Sequence, residues 1–240
     1  MSQVLPVFKR EFLGYFRSPV AYVFLVVFLM AAVGLAFFLG NFFEAGVASL
    51  ESFFFFHPWL FLFLIPAAGM RLWSEEKRTG TVELLFTLPI TTLEAVLGKF
   101  LAAWAFLTVA ILLSVPMAFT VGYLGDPDWG VIFTSYLGSI LMAGAYLGVC
   151  SLTSALTKNQ VISFVISVLI CLILVFLGWS VFSDLLETVL PQTLADVLAN
   201  FSFKTHFDPF TKGIIDPKDV VFFLSLTGFT LFLNVVALER

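Results

Sequence analysis

The sequence predicts an all-α integral membrane protein, and three observations support this fold class. Of its 240 residues, 60% are hydrophobic and only 12% are charged, whereas soluble domains are about 45–50% apolar and about 25% charged. Six apolar runs are long enough to cross a bilayer as helices, which takes about 20 residues each. The runs are continuous, without the alternation that barrel strands require. A soluble fold is therefore excluded.

The six predicted spans cover residues 20–40, 53–72, 96–122, 131–156, 160–180 and 218–238. Helix-start signals accompany several of them. Ser18-Pro19 and Asp216-Pro217 each place a capping residue before a proline at the first helical position. Thr91 and Glu94 have the spacing of a capping box at the start of the third span. No internal repeat divides the chain, so we expect one domain over residues 1–240.

The positions of Lys and Arg predict the orientation of the chain. With the N-terminus in the cytoplasm, nine of the twelve positive residues lie inside, and the two short outer loops, 41–52 and 123–130, contain none. The reverse topology would place these nine positive residues outside. We therefore expect both termini in the cytoplasm. In the long outer loop, 181–217, the apolar spacing of residues 183–203 predicts short amphipathic helices, broken at Pro191, that lie in the outer interface.

A separate amphipathic element precedes the first span at residues 4–17. Leu5, Phe8, Phe12 and Tyr15 fall on one helical face, and Arg10 and Arg17 fall on the other. This pattern predicts an interfacial helix with its apolar face in the lipid boundary. A simple anchor that orients the first span is the alternative interpretation.

Charge and motif content exclude several classes of function. Twelve basic and sixteen acidic residues give a net charge of −4, with no basic stripe for nucleic acid. Cys150 and Cys171 lie in apolar runs without metal-ligand spacing, and no nucleotide-binding P-loop or HExxH motif is present. No ionised residue lies in the middle third of a predicted span, although Lys99 lies near the start of the third. An ion-driven carrier is therefore disfavoured.

Polar and small residues within the spans have a structural interpretation. Side chains such as Asn234, Ser163 and Ser167 are expected to form hydrogen bonds between helices. Gly144 and Gly148 form a small-xxx-small pair that permits close packing of helices inside the bundle.

The cytoplasmic segment between spans two and three is the most informative part of the sequence. Residues 75–78 form a charged cluster, and Gly80 permits a bend. Thr81 can cap a short helix with Glu83 in its first turn, and Pro89 ends it. The apolar side of this helix consists of Leu84, Leu85 and Leu88. Such an edge needs a covering surface, either lipid or a partner protein; a solvated loop with an interfacial helix is the simpler alternative.

The run from Glu75 to Ile90 resembles the E-[EK]-[RK]-x-x-G-T-[LIV]-E-L-L-x-[TS]-[LS]-P-[IVL] signature of type-2 ATP-binding cassette (ABC) exporter permeases. It is most similar to the gliding-motility-associated and nitrous-oxide-reductase-maturation permeases. The opening from Phe8 to Pro19 is also typical of this family. The six-span layout, the interfacial helix and the long last outer loop extend the resemblance over the whole chain.

The resemblance implies a non-catalytic membrane subunit in the bacterial cytoplasmic (inner) membrane. Two permease chains, identical or different, would bind two copies of a separate ATPase that holds ATP and magnesium. No cofactor would be bound by this chain. The coupling segment, residues 75–88, would sit in a cleft of the ATPase, and the outer helices near 183–203 would line or gate the exit. The coupling residues would be Glu75, Glu76, Lys77, Arg78, Thr79, Gly80, Thr81, Glu83, Leu84 and Leu85. The supplementary contact would come from Phe8, Lys9, Arg10, Phe12 and Arg17 of the interfacial helix.

Three alternatives stay open from the sequence. The complex could transmit force from ATP hydrolysis to a partner protein on the outer side, with the acidic outer loop as the docking face. The chain could be a secondary carrier or another polytopic module outside the ABC class. A membrane-embedded enzyme is the third alternative, with Ser180 as a candidate nucleophile.

Overall fold

The computed structural model describes residues 3–40, 42, 46–86, 89–179, 182 and 191–239. Within these residues the chain forms helices and connecting turns without a β-strand, which confirms the all-α prediction. Among the described residues, four helical segments are long and apolar enough to cross a membrane: Pro19–Phe38, Thr92–Leu124, Trp129–Leu156 and Pro217–Leu238. These segments indicate a multi-pass membrane protein.

The described helices are named here in chain order. They are α1 (Val4–Arg17), α2 (Pro19–Phe38), α3 (Glu51–Phe55), α4 (His57–Gly69), α5 (Arg71–Thr79), α6 (Thr81–Phe86), α7 (Thr92–Leu112), α8 (Pro116–Leu124), α9 (Trp129–Leu156), α10 (Gln160–Phe176), α11 (Gln192–Ala199), α12 (Phe203–Thr211) and α13 (Pro217–Leu238).

The predicted helix starts are confirmed at the residues that carry the signals. Thr91 accepts a hydrogen bond from the Glu94 amide at 3.2 Å, and the Thr91 amide donates to the Glu94 carboxylate at 3.1 Å. Asp216 accepts from the Lys218 amide at 2.9 Å at the start of α13. α2 begins at Pro19 directly after Ser18. The capping side chains bond backbone amides that lack a partner in the first helical turn, and Pro19 has no amide to satisfy.

Two of the predicted spans are divided rather than continuous. The run 53–72 is shared among α3, α4 and α5, with breaks at Phe56 and Met70. The third run divides into α7 and α8, and the break directly precedes Pro116, because proline lacks the amide that would continue the helical ladder. α10 has 17 residues and ends at Phe176, and Ser180 lies outside the described residues. The six-span layout and its orientation stay predictions.

The core of the bundle is built around α9, which packs against α4, α5, α7, α10, α12 and α13. Glycines on α9 permit this close approach. A Cβ at Gly144 would lie 3.1 Å from the indole of Trp104, and a Cβ at Gly148 would overlap Thr230. Both glycines therefore serve internal packing, as the sequence predicted.

Polar side chains in the bundle are paired between helices. The Asn234 amide donates to Ser151 Oγ at 2.5 Å, joining α13 to α9. Thr153 Oγ1 and Ser167 Oγ lie 2.5 Å apart, joining α9 to α10. These contacts confirm the expected interhelical hydrogen bonds, which remove the cost of a polar group facing apolar surroundings.

The predicted interfacial helices of residues 183–203 are described only in part, and their interfacial placement stays a prediction. Residues 183–190 lie outside the described residues, and α11 follows Pro191. The next helix, α12, packs into the bundle, with Phe203, Phe207 and Phe210 buried. Gly138 of α9 permits this contact, because a Cβ there would lie 2.7 Å from the Phe210 side chain. Three phenylalanines at i, i+4 and i+7 form one apolar face of α12, and this face is buried in the bundle.

Candidate partner-binding site

The cytoplasmic segment predicted from the sequence forms a bent pair of helices, α5 and α6. Gly80 ends α5 with φ +74°, a left-handed conformation that glycine adopts without steric cost. Thr79 Oγ1 donates to the Glu75 carbonyl at 3.0 Å, which satisfies a carbonyl in the last turn. α6 begins at Thr81 with Glu83 in its first turn, as predicted. The side chains of Leu84 and Leu85, and all of Leu88, lie outside the described residues.

Ser154 of α9 holds the start of α5 in the bundle. Its hydroxyl accepts from the amides of Trp73 and Ser74, each at 3.0 Å, and donates to the Met70 carbonyl at 2.8 Å. The serine thus bonds both sides of the break between α4 and α5. A side chain inserted into the helical ladder is a recognised cause of a kink. The direction of α5 is therefore set by α9.

Lys77 makes a second contact between α5 and α9. Its Nζ donates to the carbonyl of Ala155 near the C-terminal end of α9. A positive charge is also favourable there, because this end of the helix dipole is negative. Burial lowers the pKa of Lys77, and the positive charge of Lys158 lowers this pKa further. Lys77 thus faces the bundle rather than a partner.

Lys99 of α7 is a buried cation that joins three helices. Its side chain is only 5% exposed, and its Nζ lies 2.7 Å from Glu76 Oε1 on α5. The same Nζ lies 3.6 Å from Glu11 Oε1 on α1. It also lies 5.2 Å from the ring centroid of Trp73, within the range of a cation–π contact. Because a buried ammonium is tolerated only when it is paired, these contacts tie α1, α5 and α7 together.

The opposite side of the α5–α6 pair is open to a partner. Arg78 and Glu75 are 63% and 47% exposed at their side chains, and their charged groups lie 4.0 Å apart. We use the term corner face for the exposed and half-exposed residues Glu75, Arg78, Thr79, Gly80, Thr81 and Glu83. The structure thus divides the predicted coupling residues: Glu76 and Lys77 face the bundle, and the others with described side chains face outward.

Helix α1, the predicted interfacial helix, is packed against α7 more closely than the sequence predicted. Val7 is buried, and a Cβ at Gly98 of α7 would lie 2.7 Å from the Val7 side chain. The Gln3 amide donates to Glu94 at 2.8 Å, and Tyr15 stacks on Phe106 at 4.8 Å. Tyr15 of the predicted apolar face therefore contacts α7, whereas Leu5 is exposed, and the interfacial placement of α1 stays a prediction. Gly98 lacks a side chain, so α1 can bury Val7 against α7.

The remaining predicted residues of α1 lie around its outer side. Lys9, Arg10 and Arg17 are exposed, and Arg10 pairs with Glu11 at 2.7 Å. Phe8 and Phe12 are half-buried and stack at 5.5 Å. The charges of α1 are therefore accessible, while its aromatic side chains contribute to packing.

Three residues that organise this site were not among the predicted site residues: Glu11, Lys99 and Ser154. Lys99 carried a usable signal, since a cation at the start of an apolar span is expected to have a partner. Ser154 carried none, because serine is common within such helices. In the described part of the chain, no group of three or more His, Cys, Asp or Glu side chains is placed to hold a metal ion.

Nearly the whole chain matches a known protein family. A family model described as ABC-2 family transporter protein matches residues 5–238. The matched range contains nearly all of α1, the complete α5–α6 pair and every later helix through α13. No curated protein matches the chain.

Proposed function

The chain belongs to the ABC-2 transporter family, and from this premise we propose that it exports a substrate using a separate ATPase subunit. Membrane subunits of this family are generally non-catalytic, and the family implies an ABC ATPase as partner. The chain is thus the permease subunit of an ABC transporter. ATP and magnesium would be bound by the ATPase, and this chain would bind no cofactor.

The observation that carries the proposal is the corner face. Arg78 and Glu83 are exposed on the α5–α6 pair, and α5 is fixed to the bundle by Ser154 and Lys99. An exposed charged surface on a rigid support suits a protein partner, because charge complementarity steers association while little ordering entropy is lost on binding. We therefore propose that the ATPase binds the corner face.

Lys99 supplies the proposed route from the corner face into the bundle. A displacement of α5 acts on Glu76, which is bonded to Lys99 of α7. Glu11 lies beside the same ammonium, so α1 is displaced together with α7. We propose that closure of two ATPase subunits uses this route to move spans one, two and five against the rest of a permease dimer.

The finer assignment of the transporter rests on the signature from Glu75 to Ile90. Its similarity to the gliding-motility-associated and nitrous-oxide-reductase-maturation permeases favours a bacterial inner membrane location. Six spans with both termini in the cytoplasm would place α1, α5 and α6 on the same side as the ATPase, as the proposal requires.

Affinity purification of the full chain from its native membranes tests the proposal. We expect an ABC ATPase to co-purify with the wild type. Because Glu83 is exposed, Glu83→Lys should leave the chain folded but remove most of the ATPase. The matched control is Lys212→Glu, which reverses an exposed charge in the predicted outer loop and should retain the ATPase. Full retention in an Arg78→Glu/Glu83→Lys double variant would contradict the proposal.

A further inference from the structure

A cavity of about 620 Å³ lies between α1, α2, α4, α5 and α7. This volume falls within the range of small-molecule sites, about 300–1,000 Å³. Small residues create the space, since Gly14, Ala21, Ala67 and Ala68 contribute to its wall. The cavity opens on the surface of the chain, because its wall includes exposed residues of α2.

The lining of the cavity is amphipathic. α2 contributes an apolar stripe of Val20, Val23 and Val27, which are 55%, 61% and 45% exposed. The charged lining comes from α1, α5 and the first half of α7. Its residues are Glu11, Arg71, Glu75, Glu76 and Lys99. An apolar stripe next to a charged cluster matches a molecule with a hydrocarbon chain and a polar headgroup.

The polar groups of this wall that have no hydrogen-bond or ion-pair partner among the described residues specify the headgroup. Glu76 Oε1 is bonded to Lys99, but Glu76 Oε2 is buried without a hydrogen-bond partner in the described part of the chain. A buried carboxylate oxygen in this state needs a donor, preferably a charged one. Arg71 is exposed and forms no ion pair with a described residue, so its guanidinium can bind phosphate.

We propose that this cavity binds the ethanolamine headgroup of a zwitterionic phospholipid as a resident lipid. Its ammonium would donate to Glu76 and Glu75, its phosphate would accept from Arg71, and an acyl chain would lie along the valines of α2. A choline headgroup has no N–H to donate to Glu76, and a glycerol headgroup has no positive charge. The site therefore selects among lipids by the chemistry of their headgroups.

Native mass spectrometry of the purified full chain tests this proposal. The detergent-solubilised protein is incubated with equal amounts of palmitoyl-oleoyl phosphatidylethanolamine, phosphatidylcholine and phosphatidylglycerol. We expect the ethanolamine lipid to be retained about tenfold more than the other two, the effect of a charged hydrogen bond. Ala67→Phe, which fills the cavity, should abolish this preference. Val26→Phe is the control, because Val26 is an exposed residue of α2 outside the cavity.

Two further variants keep the test decisive if Ala67→Phe fails to fold. Arg71→Gln removes the phosphate partner at an exposed position and should lower ethanolamine-lipid retention by about tenfold. Arg78→Gln, on the same helix but outside the cavity, should leave it unchanged. Equal retention of the three lipids, or an unaltered preference in Ala67→Phe or Arg71→Gln, overturns the proposal. Disulfide-linked dimers formed through Ala67→Cys would also overturn it, since a second copy would then occupy the cavity.

Discussion

Lys99 Nζ lies 2.7 Å from Glu76 Oε1, and this bond joins the third predicted span to the segment that we propose contacts the ATPase. The lysine side chain is 5% exposed and the glutamate side chain 23% exposed. Glu11 lies 3.6 Å from the same ammonium. Two carboxylates from two helices thus converge on one buried cation, which positions the corner face relative to α1.

A double-mutant cycle at Glu76 and Lys99 should show strong coupling. Glu76→Gln leaves the buried ammonium with the more distant Glu11, and we expect it to cost about 2 kcal/mol of stability. Lys99→Met should cost less, because methionine is apolar and Glu76 can be hydrated. The double variant should cost no more than Glu76→Gln alone, as measured by denaturation in detergent.

Glu75→Gln is the matched control for this cycle. Glu75 lies beside Glu76 on α5, but its side chain is 47% exposed. The change should therefore alter stability by less than about 0.5 kcal/mol. Strictly additive effects of the Glu76 and Lys99 variants would show that the bond does not stabilise the bundle.

Gly98→Ala should separate α1 from α7. A Cβ at this position would lie 2.7 Å from Val7 and 3.2 Å from the Val4 carbonyl, so one of the two helices must shift. We expect a loss of about 1–3 kcal/mol and faster proteolysis after residues of α1. Gly14→Ala is the control, since no atom lies within 4 Å of a Cβ there. It should be neutral or stabilising by about 0.5–1 kcal/mol. Equal protease resistance of the two variants would rule out the proposed contact.

The positions of helices were predictable from sequence because their signals are local. The Thr91–Glu94 capping box and the Asp216-Pro217 start both lie where the sequence placed them. The packing of α1 was not predictable, because it depends on Gly98, whose effect appears only when Val7 is brought against it. The break at Met70 likewise involves a distant residue, Ser154, whose hydroxyl bonds the groups on either side of it.

Ser154→Ala should release the start of α5 from α9. The change removes the acceptor for the Trp73 and Ser74 amides and the donor to the Met70 carbonyl. The Met70 carbonyl keeps the Ser74 hydroxyl as a donor, but leaving the buried Trp73 and Ser74 amides unpaired should cost about 1–3 kcal/mol. The control is Ser225→Ala, because Ser225 is exposed and its hydroxyl bonds only within α13. Thermal unfolding of both variants in detergent measures the difference, and identical midpoints would contradict this role.

The contribution of Lys77 to the free energy of unfolding should change with pH in the alkaline range. Burial and the charge of Lys158 lower its pKa from 10.5 in the folded chain. The folded state therefore binds fewer protons than the unfolded state between the lowered pKa and 10.5, so stability rises with pH across this window. Relative to Lys77→Met, the wild type should gain stability as the pH is raised from 7 toward 10.

Lys158→Gln provides the control for this pH dependence. It removes the neighbouring positive charge but not the burial, so the slope should become smaller without vanishing. Melting temperatures of the three proteins over the same pH series give the comparison. A wild type that loses stability relative to Lys77→Met as the pH rises would contradict the assignment.

The candidate site could be located from sequence but not divided into its two sides. The run from Glu75 to Glu83 was identified by its charges and by Gly80. Which of its residues face outward depends on α9 and α7, which bind Lys77 and Glu76 through Ala155 and Lys99. These partners lie at least 23 positions away in the sequence, beyond the reach of any local pattern.

Photo-crosslinking from the corner face in native membranes tests the central claim most directly. A photoreactive amino acid replaces Arg78 or Glu83 in the full chain, and Lys212 serves as the control position. The proposed function predicts that both corner positions form adducts with an ABC ATPase and that position 212 does not. Adducts formed only with lipid or with another copy of this chain, from both corner positions, would contradict it.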